Sequence, residues 1–144
     1  MWFYYMYFRL ISFNDYTNYM CLINEFRPTF LSKIEFTNAV KKILSCGQIW
    51  LAIDDDTREI IGTGTIIYEQ KIIHNGGLVG HIEDVIVAEK YRKNGYGMAI
   101  VEELKRKGRE KGCYKILLNC SKNMEKFYEK NGFSNRNLEM EIRF

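Results

Sequence analysis

The sequence is poor in proline and histidine, with one proline and two histidines in 144 residues. Its four cysteines form no Cys-x-x-Cys pair and have few histidines near them, so we predict reduced thiols and no metal site. Low-complexity tracts are also absent, and 47% of the residues are hydrophobic, which excludes a disordered chain. We therefore predict a single globular domain over residues 1–144.

Neither positive nor negative charge is in large excess. The formal net charge is only +3 and the basic residues are spread among acidic ones, so we expect no nucleic-acid partner. The apolar stretch at residues 1–8 is too short to span a bilayer and lacks the basic flank of a signal peptide. We expect a cytoplasmic protein with no membrane partner, and a small anion is a better-fitting ligand.

The most informative stretch runs from Gly80 to Gly97. Its first part, His81–Val87, is short and rich in β-branched residues, which predicts a central strand covered on both faces. Glu83 and Asp84 interrupt this strand. Because a buried carboxylate is costly unless it is paired or used, these two residues are the first candidates for function.

The second part of the stretch is an Arg-x-x-Gly-x-Gly loop, formed by Arg92, Gly95 and Gly97 and followed by a helical run to Lys111. Glycines at a helix start let backbone N–H groups approach an anion, and the helix dipole favours negative charge. A pyrophosphate would fit there. The spacing is neither the dinucleotide fingerprint nor a P-loop, so a plain turn onto a helix is an equal alternative at this point.

The patterns along the chain predict an α/β (α+β) fold, in which helices flank a mixed sheet in the order β-α-α-β-β-β-α-β-α-β. Strands are expected at residues 3–11, 48–53, 60–69, 81–87, 114–120 and 138–144, and helices at 15–26, 33–46, 95–111 and 123–130. The second and third strands flank a polar turn and should pair antiparallel. The last strand alternates apolar and charged residues without a fault.

Four stretches give the chain a resemblance to a known family: Lys71–His74, Gly80–Asp84, Gly112–Ile116 and Phe127–Lys130. With the glycine loop and the element order, they make it similar to the GNAT acyl-CoA N-acetyltransferases, and among these to the glucosamine 6-phosphate N-acetyltransferases. The resemblance is specific from about Gln48 onward. It implies a mostly antiparallel GNAT-type sheet, acetyl-CoA as acetyl donor, an amino sugar phosphate as acceptor, and a homodimer in which the C-terminal strand reaches the partner.

The resemblance also implies roles for individual residues. Acetyl-CoA would be held by the backbone of Arg92, Lys93, Asn94, Gly95, Tyr96 and Gly97 at its pyrophosphate, and by Val85, Ile86 and Val87 along its pantetheine arm. The catalytic candidates are Glu83 and Asp84, facing the sugar amine, Asn119, through its backbone carbonyl, and Tyr128, which would protonate the departing thiolate. The acceptor would contact Glu83, Asp84, Thr29, Lys71, His74 and Arg143.

Three positions depart from the family's pattern. Asn119 stands where yeast-like enzymes carry Asp, Met124 where they carry Asn, and Asn94 where Gly or Gln is frequent. The first change is harmless if the backbone carbonyl is what the reaction uses. Met124 is expected to weaken one cofactor contact.

The chemistry requires no activated nucleophile of the protein, since the amine can attack directly in a ternary complex. A backbone N–H near Val85, exposed by a β-bulge, would meet the developing oxyanion. Structural alternatives stay open: Tyr128 as a core residue, His81 as a partner of a backbone group, and Arg143 on the polar face of an edge strand. A GNAT enzyme for another amine, such as a polyamine, an antibiotic or a protein N-terminus, and an acyl-CoA-binding module without turnover are the competing functions.

Overall fold

The fold, seen in a computed structural model that describes residues 5–144, is built on a five-stranded sheet. Strand order in the sheet follows the chain, with antiparallel pairing from the first strand to the fourth and parallel pairing between the fourth and the fifth. The strands are β1 (Met6–Leu10), β2 (Gly47–Asp54), β3 (Ile60–Gln70), β4 (Leu78–Val87) and β5 (Cys113–Leu117). The predicted mixed, mostly antiparallel sheet is confirmed, although residues 3 and 4 of the first predicted strand lie outside the described residues.

Five helical elements connect and cover the strands: α1 (Tyr16–Phe26), α2 (Lys33–Leu44), α3 (Ile73–Gly76), α4 (Tyr96–Lys111) and α5 (Glu125–Lys130). Local hydrogen bonds determine where α2 starts, because Ser32 and Glu35 form a capping box in which each side chain accepts the other's backbone N–H. In contrast, α3 is a single tight turn in which His74 and Asn75 have left-handed φ angles.

Helices cover both faces of the sheet. On one face, Phe36 of α2 belongs to the same buried cluster as Leu51 of β2. On the other face, Ile100 and Leu104 of α4 pack in a cluster with Ile66 of β3. The β3–β4 pair therefore lies under α4, which is the helix that follows the glycine loop.

The predicted strand at residues 138–144 is wrong for a single chain, since nothing after β5 is a strand in the described part of the protein. A cavity of about 740 Å³ is lined both by β5 and by residues 134–139, so the tail does not pair with that edge. Its alternating apolar side chains are all at least 77% exposed: Leu138, Met140, Ile142 and Phe144. A strand needs a partner for its backbone hydrogen bonds, and no strand within the described residues pairs with the tail.

All four cysteines are free thiols, as predicted, and three of them are exposed. Across residues 5–144, no three His, Cys, Asp or Glu side chains are grouped so that they could hold a metal ion. None of the helices in that range has the length and apolar character needed to cross a bilayer.

Candidate active site

The two carboxylates of the predicted site lie at a β-bulge in β4. Asp84 and Val85 together stand opposite the single residue Gly64 of β3, and Asp84 has a left-handed φ of 49°. A bulge turns side chains and backbone groups out of the regular ladder. The irregularity predicted beside Val85 is therefore present at the point where the strand carries its acidic residues.

The prediction that Glu83 and Asp84 are buried is wrong, because both are exposed. The reason is that β5 pairs with β4 only as far as His81, so no strand covers the carboxylates from that side. Partial desolvation, followed by the charge of Asp84, nevertheless raises the pKa of the Glu83 carboxyl. Glu83 consequently accepts a proton more readily than an ordinary glutamate, which suits a group placed beside an amine.

The separation of β4 from β5 leaves one edge of β4 open. The last β4–β5 pair joins His81 to Leu117, whereas β4 continues to Val87. Val85, Ile86 and Val87 therefore lie on a stretch whose backbone can pair with an extended ligand, as peptides add to sheet edges. This is the stretch predicted to receive the pantetheine arm.

The loop after β4 leads into the amino end of α4 without a side-chain cap. Lys93 and Gly95 have left-handed φ angles of 63° and 83°. The side chains of the loop turn back onto backbone carbonyls: Arg92 Nε donates to Val87 O at 3.0 Å, and Asn94 Nδ2 donates to the Arg92 carbonyl at 2.9 Å. No loop side chain caps the helix start, which leaves the dipole end of a 16-residue helix suited to an anionic group.

Contacts at the start of α4 bring α5 close to this loop. A Cβ atom on Gly97 would meet the Phe127 ring at 3.4 Å and Val87 at 3.6 Å, so the glycine lets three elements converge. Tyr96 packs edge-on against Tyr91 at 5.8 Å between ring centroids. The open edge of β4, the uncapped helix start and α5 thus lie next to one another, and we call this region the cradle.

Tyr128 lies on α5, next to Phe127, the residue that approaches Gly97. Its ring is held edge-on by Phe127 and Phe133, with centroid distances of 5.0 and 6.0 Å. Desolvation, followed by the nearby Cys120 thiol, raises the pKa of its phenol above the ordinary value. Tyr128 therefore stays protonated at neutral pH, as a proton donor must.

Asn119 follows β5 in the loop that leads to α5. Its Nδ2 donates to Glu139 Oε1 at 3.0 Å, so its side chain is engaged with the C-terminal tail. A role for its backbone carbonyl stays a prediction, as does a weakened cofactor contact at Met124, which is 41% exposed at the start of α5.

Three residues predicted to bind the sugar phosphate lie outside the β4 bulge that carries the carboxylates: Lys71, His74 and Arg143. Lys71 and His74 precede Leu78, the first residue of β4, whereas Glu83 lies five residues further along. At about 3.3 Å per residue the separation along the strand is roughly 16 Å. Arg143 lies in the tail with its side chain 85% exposed and paired with Glu141 at 2.6 Å.

Two of these phosphate candidates also have partners within the chain. The Lys71 ammonium is paired with Glu69, and the His74 ring lies 4.9 Å from that of Tyr114. Thr29, between α1 and α2, donates its backbone N–H to Asn24 Oδ1 at 3.0 Å.

The sequence interpretation missed an ion pair beside the acceptor end of the site. His81 does not serve a backbone group; its Nε2 lies 2.6 Å from Glu69 Oε2, on the carboxylate that Lys71 also contacts. Lys71 first, and His81 second, lower the pKa of the Glu69 carboxyl. The register of the β3–β4 hairpin could have predicted this contact. It pairs Glu69 with Val79, so His81 is the diagonal neighbour of Glu69.

Comparison with known proteins agrees with this geometry. Residues 17–133 match the Acetyltransferase (GNAT) family. The chain is 37% identical to glucosamine 6-phosphate N-acetyltransferase 1 of Dictyostelium discoideum, over 94% of this chain and 88% of that protein. It is 33% identical to glucosamine 6-phosphate N-acetyltransferase of Candida albicans, over 95% of each chain.

Solved structures agree as well. The fold matches the crystal structure of glucosamine-6-phosphate N-acetyltransferase from Arabidopsis thaliana with a TM-score of 0.89 and 30% identity, over 96% of this chain and 98% of that one. The predicted resemblance is confirmed over almost the whole chain, including the first third, where the motifs were weak. This chain belongs to the GNAT family of acetyltransferases.

Proposed function

We propose that this protein transfers the acetyl group of acetyl-CoA to the amine of D-glucosamine 6-phosphate, which yields N-acetyl-D-glucosamine 6-phosphate for UDP-N-acetylglucosamine supply. The observation that carries the proposal is the convergence of two exposed carboxylates at the β4 bulge with an open strand edge that leads to an uncapped helix. The names of the relatives at 33–37% identity support the choice of acceptor. Free thiols fit a reducing compartment, and we propose the cytoplasm.

The cradle described above would hold acetyl-CoA, which supplies the thioester for the reaction. Backbone amides from Arg92 to Gly97 bind the pyrophosphate, aided by the positive end of the α4 dipole. The Val85–Val87 edge pairs with the pantetheine arm. These contacts orient the donor, which lowers the entropic part of the barrier.

Glu83 and Asp84 act on the acceptor. Their carboxylates attract the sugar ammonium; once it has lost one proton to solvent, the neutral amine attacks, and the carboxylates take up the second proton that the nitrogen loses as the new C–N bond forms. The raised pKa of the Glu83 carboxyl favours that uptake. The Val85 N–H, displaced from the regular ladder by the bulge, donates to the carbonyl oxygen as negative charge develops there.

Tyr128 completes the transfer at the sulfur. As the C–S bond breaks, its phenol donates a proton to the leaving thiolate and is then reprotonated from solvent. The edge-on packing of Phe127 and Phe133 orients the ring for this step. In each turnover the ammonium loses two protons, one to solvent before attack and one through the carboxylates, and the thiolate gains one from Tyr128, so one net proton is released to solvent.

A homodimer supplies the phosphate end of the site in this proposal. The start of β4, next to His74, lies roughly 16 Å along the strand from Glu83, whereas the Lys71 ammonium shares the Glu69 carboxylate with His81, two residues from Glu83. The exposed tail, with Arg143 on it, has an apolar face that a second copy would cover, and β5 offers an unpaired edge. We propose that the tail of each protomer completes the sheet and the active site of its partner.

The acceptor is tested by thiol release from acetyl-CoA with a panel of amines: glucosamine 6-phosphate, glucosamine and spermidine. We expect kcat/KM for the phosphorylated sugar to exceed that for glucosamine by roughly ten- to a hundredfold, since a charge-assisted phosphate contact is worth about 1.5–3 kcal/mol. Arg143→Ala should shrink this preference without abolishing transfer. Equal rates on the two sugars, or faster acetylation of spermidine, would contradict the sugar phosphate proposal.

The shared site is tested by mixing two defective chains. Co-expressed Tyr128→Phe and Arg143→Ala protomers should regain activity on glucosamine 6-phosphate, because a mixed dimer has one site with an intact Tyr128 and an intact partner Arg143. Statistical pairing predicts about a quarter of the wild-type rate. Separately purified chains, assayed alone, are the control. Activity no higher than the sum of the two single variants, or a monomer in sedimentation at micromolar concentration, would rule out the shared site.

A further inference from the structure

We infer that Lys105 is a positioning residue for the proton donor: its ammonium ties the carboxyl end of α5 to α4 and thereby fixes the phenol of Tyr128. The inference rests on the proposed acid role of Tyr128. It adds a residue that lies outside the cofactor loop, the carboxylates and the acceptor contacts.

The helix that carries Tyr128 cannot hold its own position. It is six residues long and none of its residues is buried. A helix this short is unstable in isolation, so its place depends on tertiary contacts at its ends. Whatever anchors α5 therefore determines where the Tyr128 hydroxyl lies.

The carboxyl end of α5 is a tightly hydrogen-bonded unit. Gly132, with a φ of 86°, donates to the Glu129 carbonyl at 2.9 Å, and Phe133 donates to the Tyr128 carbonyl at 3.0 Å. This pair of bonds is a Schellman cap. The Asn131 N–H also reaches the Tyr128 carbonyl at 3.0 Å, so the backbone of the proton donor is part of the cap.

Lys105 binds this cap from α4. Its Nζ donates to the Asn131 carbonyl at 2.7 Å and to Glu102 Oε1 at 2.5 Å, and its side chain is only 23% exposed. Asn131 is itself 2% exposed, and its Nδ2 donates to the Phe127 carbonyl at 2.9 Å. The ammonium thus reaches a buried carbonyl whose residue is bonded to both Phe127 and Tyr128.

Removing the ammonium leaves the Asn131 carbonyl without this donor inside the protein. An unsatisfied buried acceptor is expected to shift or loosen the cap, and with it α5. Displacement of a catalytic group by about 1 Å can cost on the order of 100-fold in rate. The effect should fall on the proton-transfer step, since the pyrophosphate loop lies at the opposite end of α4 from Lys111 and is held by its own contacts.

The test is a double-mutant cycle between Lys105→Met and Tyr128→Phe, with kcat and the acetyl-CoA KM measured for each chain. Lys105→Met alone should lower kcat roughly ten- to a hundredfold with little change in KM. In the Tyr128→Phe background the same change should lower kcat less than threefold, since there is no phenol left to position. Lys105→Arg should restore part of the loss.

Lys107→Met is the matched control, because Lys107 is on the same helix but its ammonium lies over the Trp50 ring at 4.1 Å. It should keep the wild-type kcat. Hydrogen exchange gives an independent readout: the α5 amides should exchange faster in Lys105→Met, and the α4 amides should not. If Lys105→Met does not fold, the milder Lys105→Gln takes its place in the cycle.

Equal kcat losses from Lys105→Met in both backgrounds, or unchanged exchange in α5, would overturn the positioning role while leaving the acid role of Tyr128 intact. A Tyr128→Phe enzyme with wild-type kcat would instead remove the acid role, and the positioning role with it. The two failures are therefore distinguished by the single Tyr128→Phe variant.

Discussion

Replacing Tyr128 with phenylalanine is expected to lower kcat by about 10²- to 10⁴-fold, the usual contribution of a positioned general acid. The change removes one hydroxyl and keeps the ring, so the edge-on contacts with Phe127 and Phe133 survive. The acetyl-CoA KM should therefore change little. Steady-state kinetics with glucosamine 6-phosphate measure both quantities.

The pH profile adds a second readout for the acid. Desolvation raises the pKa of the Tyr128 phenol above the ordinary tyrosine value of 10.0. A kcat that depends on this acid should therefore fall only at pH values above the ordinary tyrosine pKa. This alkaline limb should be missing in Tyr128→Phe. Tyr68→Phe is the matched control, since burial raises the pKa of Tyr68 to about 12 but its hydroxyl donates to Gln48 at 3.0 Å. A wild-type kcat in Tyr128→Phe would contradict the acid role and show that Tyr128 serves only in packing.

Replacing Gly95 with valine is expected to raise the acetyl-CoA KM roughly 100-fold or more, with a much smaller change in the acceptor KM. Gly95 has a φ of 83°, which a β-branched residue rarely adopts, and it precedes the first turn of α4. A side chain there would displace the backbone amides from the pyrophosphate. Each charge-assisted hydrogen bond lost costs about 1.5–3 kcal/mol, so two of them account for an effect of this size.

Gly112→Val separates loss of the cradle from backbone strain. Gly112 has a φ of 90° at the other end of the same helix, and a Cβ added there meets no atom within 4 Å. Both variants should lose thermal stability, but only Gly95→Val should lose acetyl-CoA affinity. A folded Gly95→Val enzyme with the wild-type acetyl-CoA KM would contradict the assignment of the pyrophosphate loop.

Local chemistry explains which features could be predicted without coordinates. The Ser32–Glu35 capping box and the left-handed Gly132 cap depend on contacts within a few residues. The Arg-x-x-Gly-x-Gly loop is of the same kind, since the positive φ of Gly95 requires a residue without a Cβ. The order of elements up to α5, apart from the single turn α3, and the family motifs after Gln48 were also readable along the chain.

Features that depend on where strands end came from the tertiary structure. Glu83 and Asp84 looked buried in a strand of apolar neighbours, but they are exposed because β5 stops pairing at His81. Residues 138–144 alternate like a strand, yet they pair with no strand of the described residues. The alternation of apolar and charged residues determines which face of a strand each side chain lies on. Strand pairing also requires a neighbouring strand, and the local sequence does not specify which strand that is.

Long-range side-chain contacts were decided in the same way. Lys71 was predicted to be free for phosphate, but it shares the Glu69 carboxylate with His81 once β3 and β4 pair in register. Lys105 lies 26 residues before Asn131, and only the packing of α5 on α4 makes the two neighbours. The sequence by itself predicted the family and most of the helices and strands, because these are encoded within short stretches. The tertiary structure decided which charges are paired or exposed, because those states depend on distances between segments far apart in the chain.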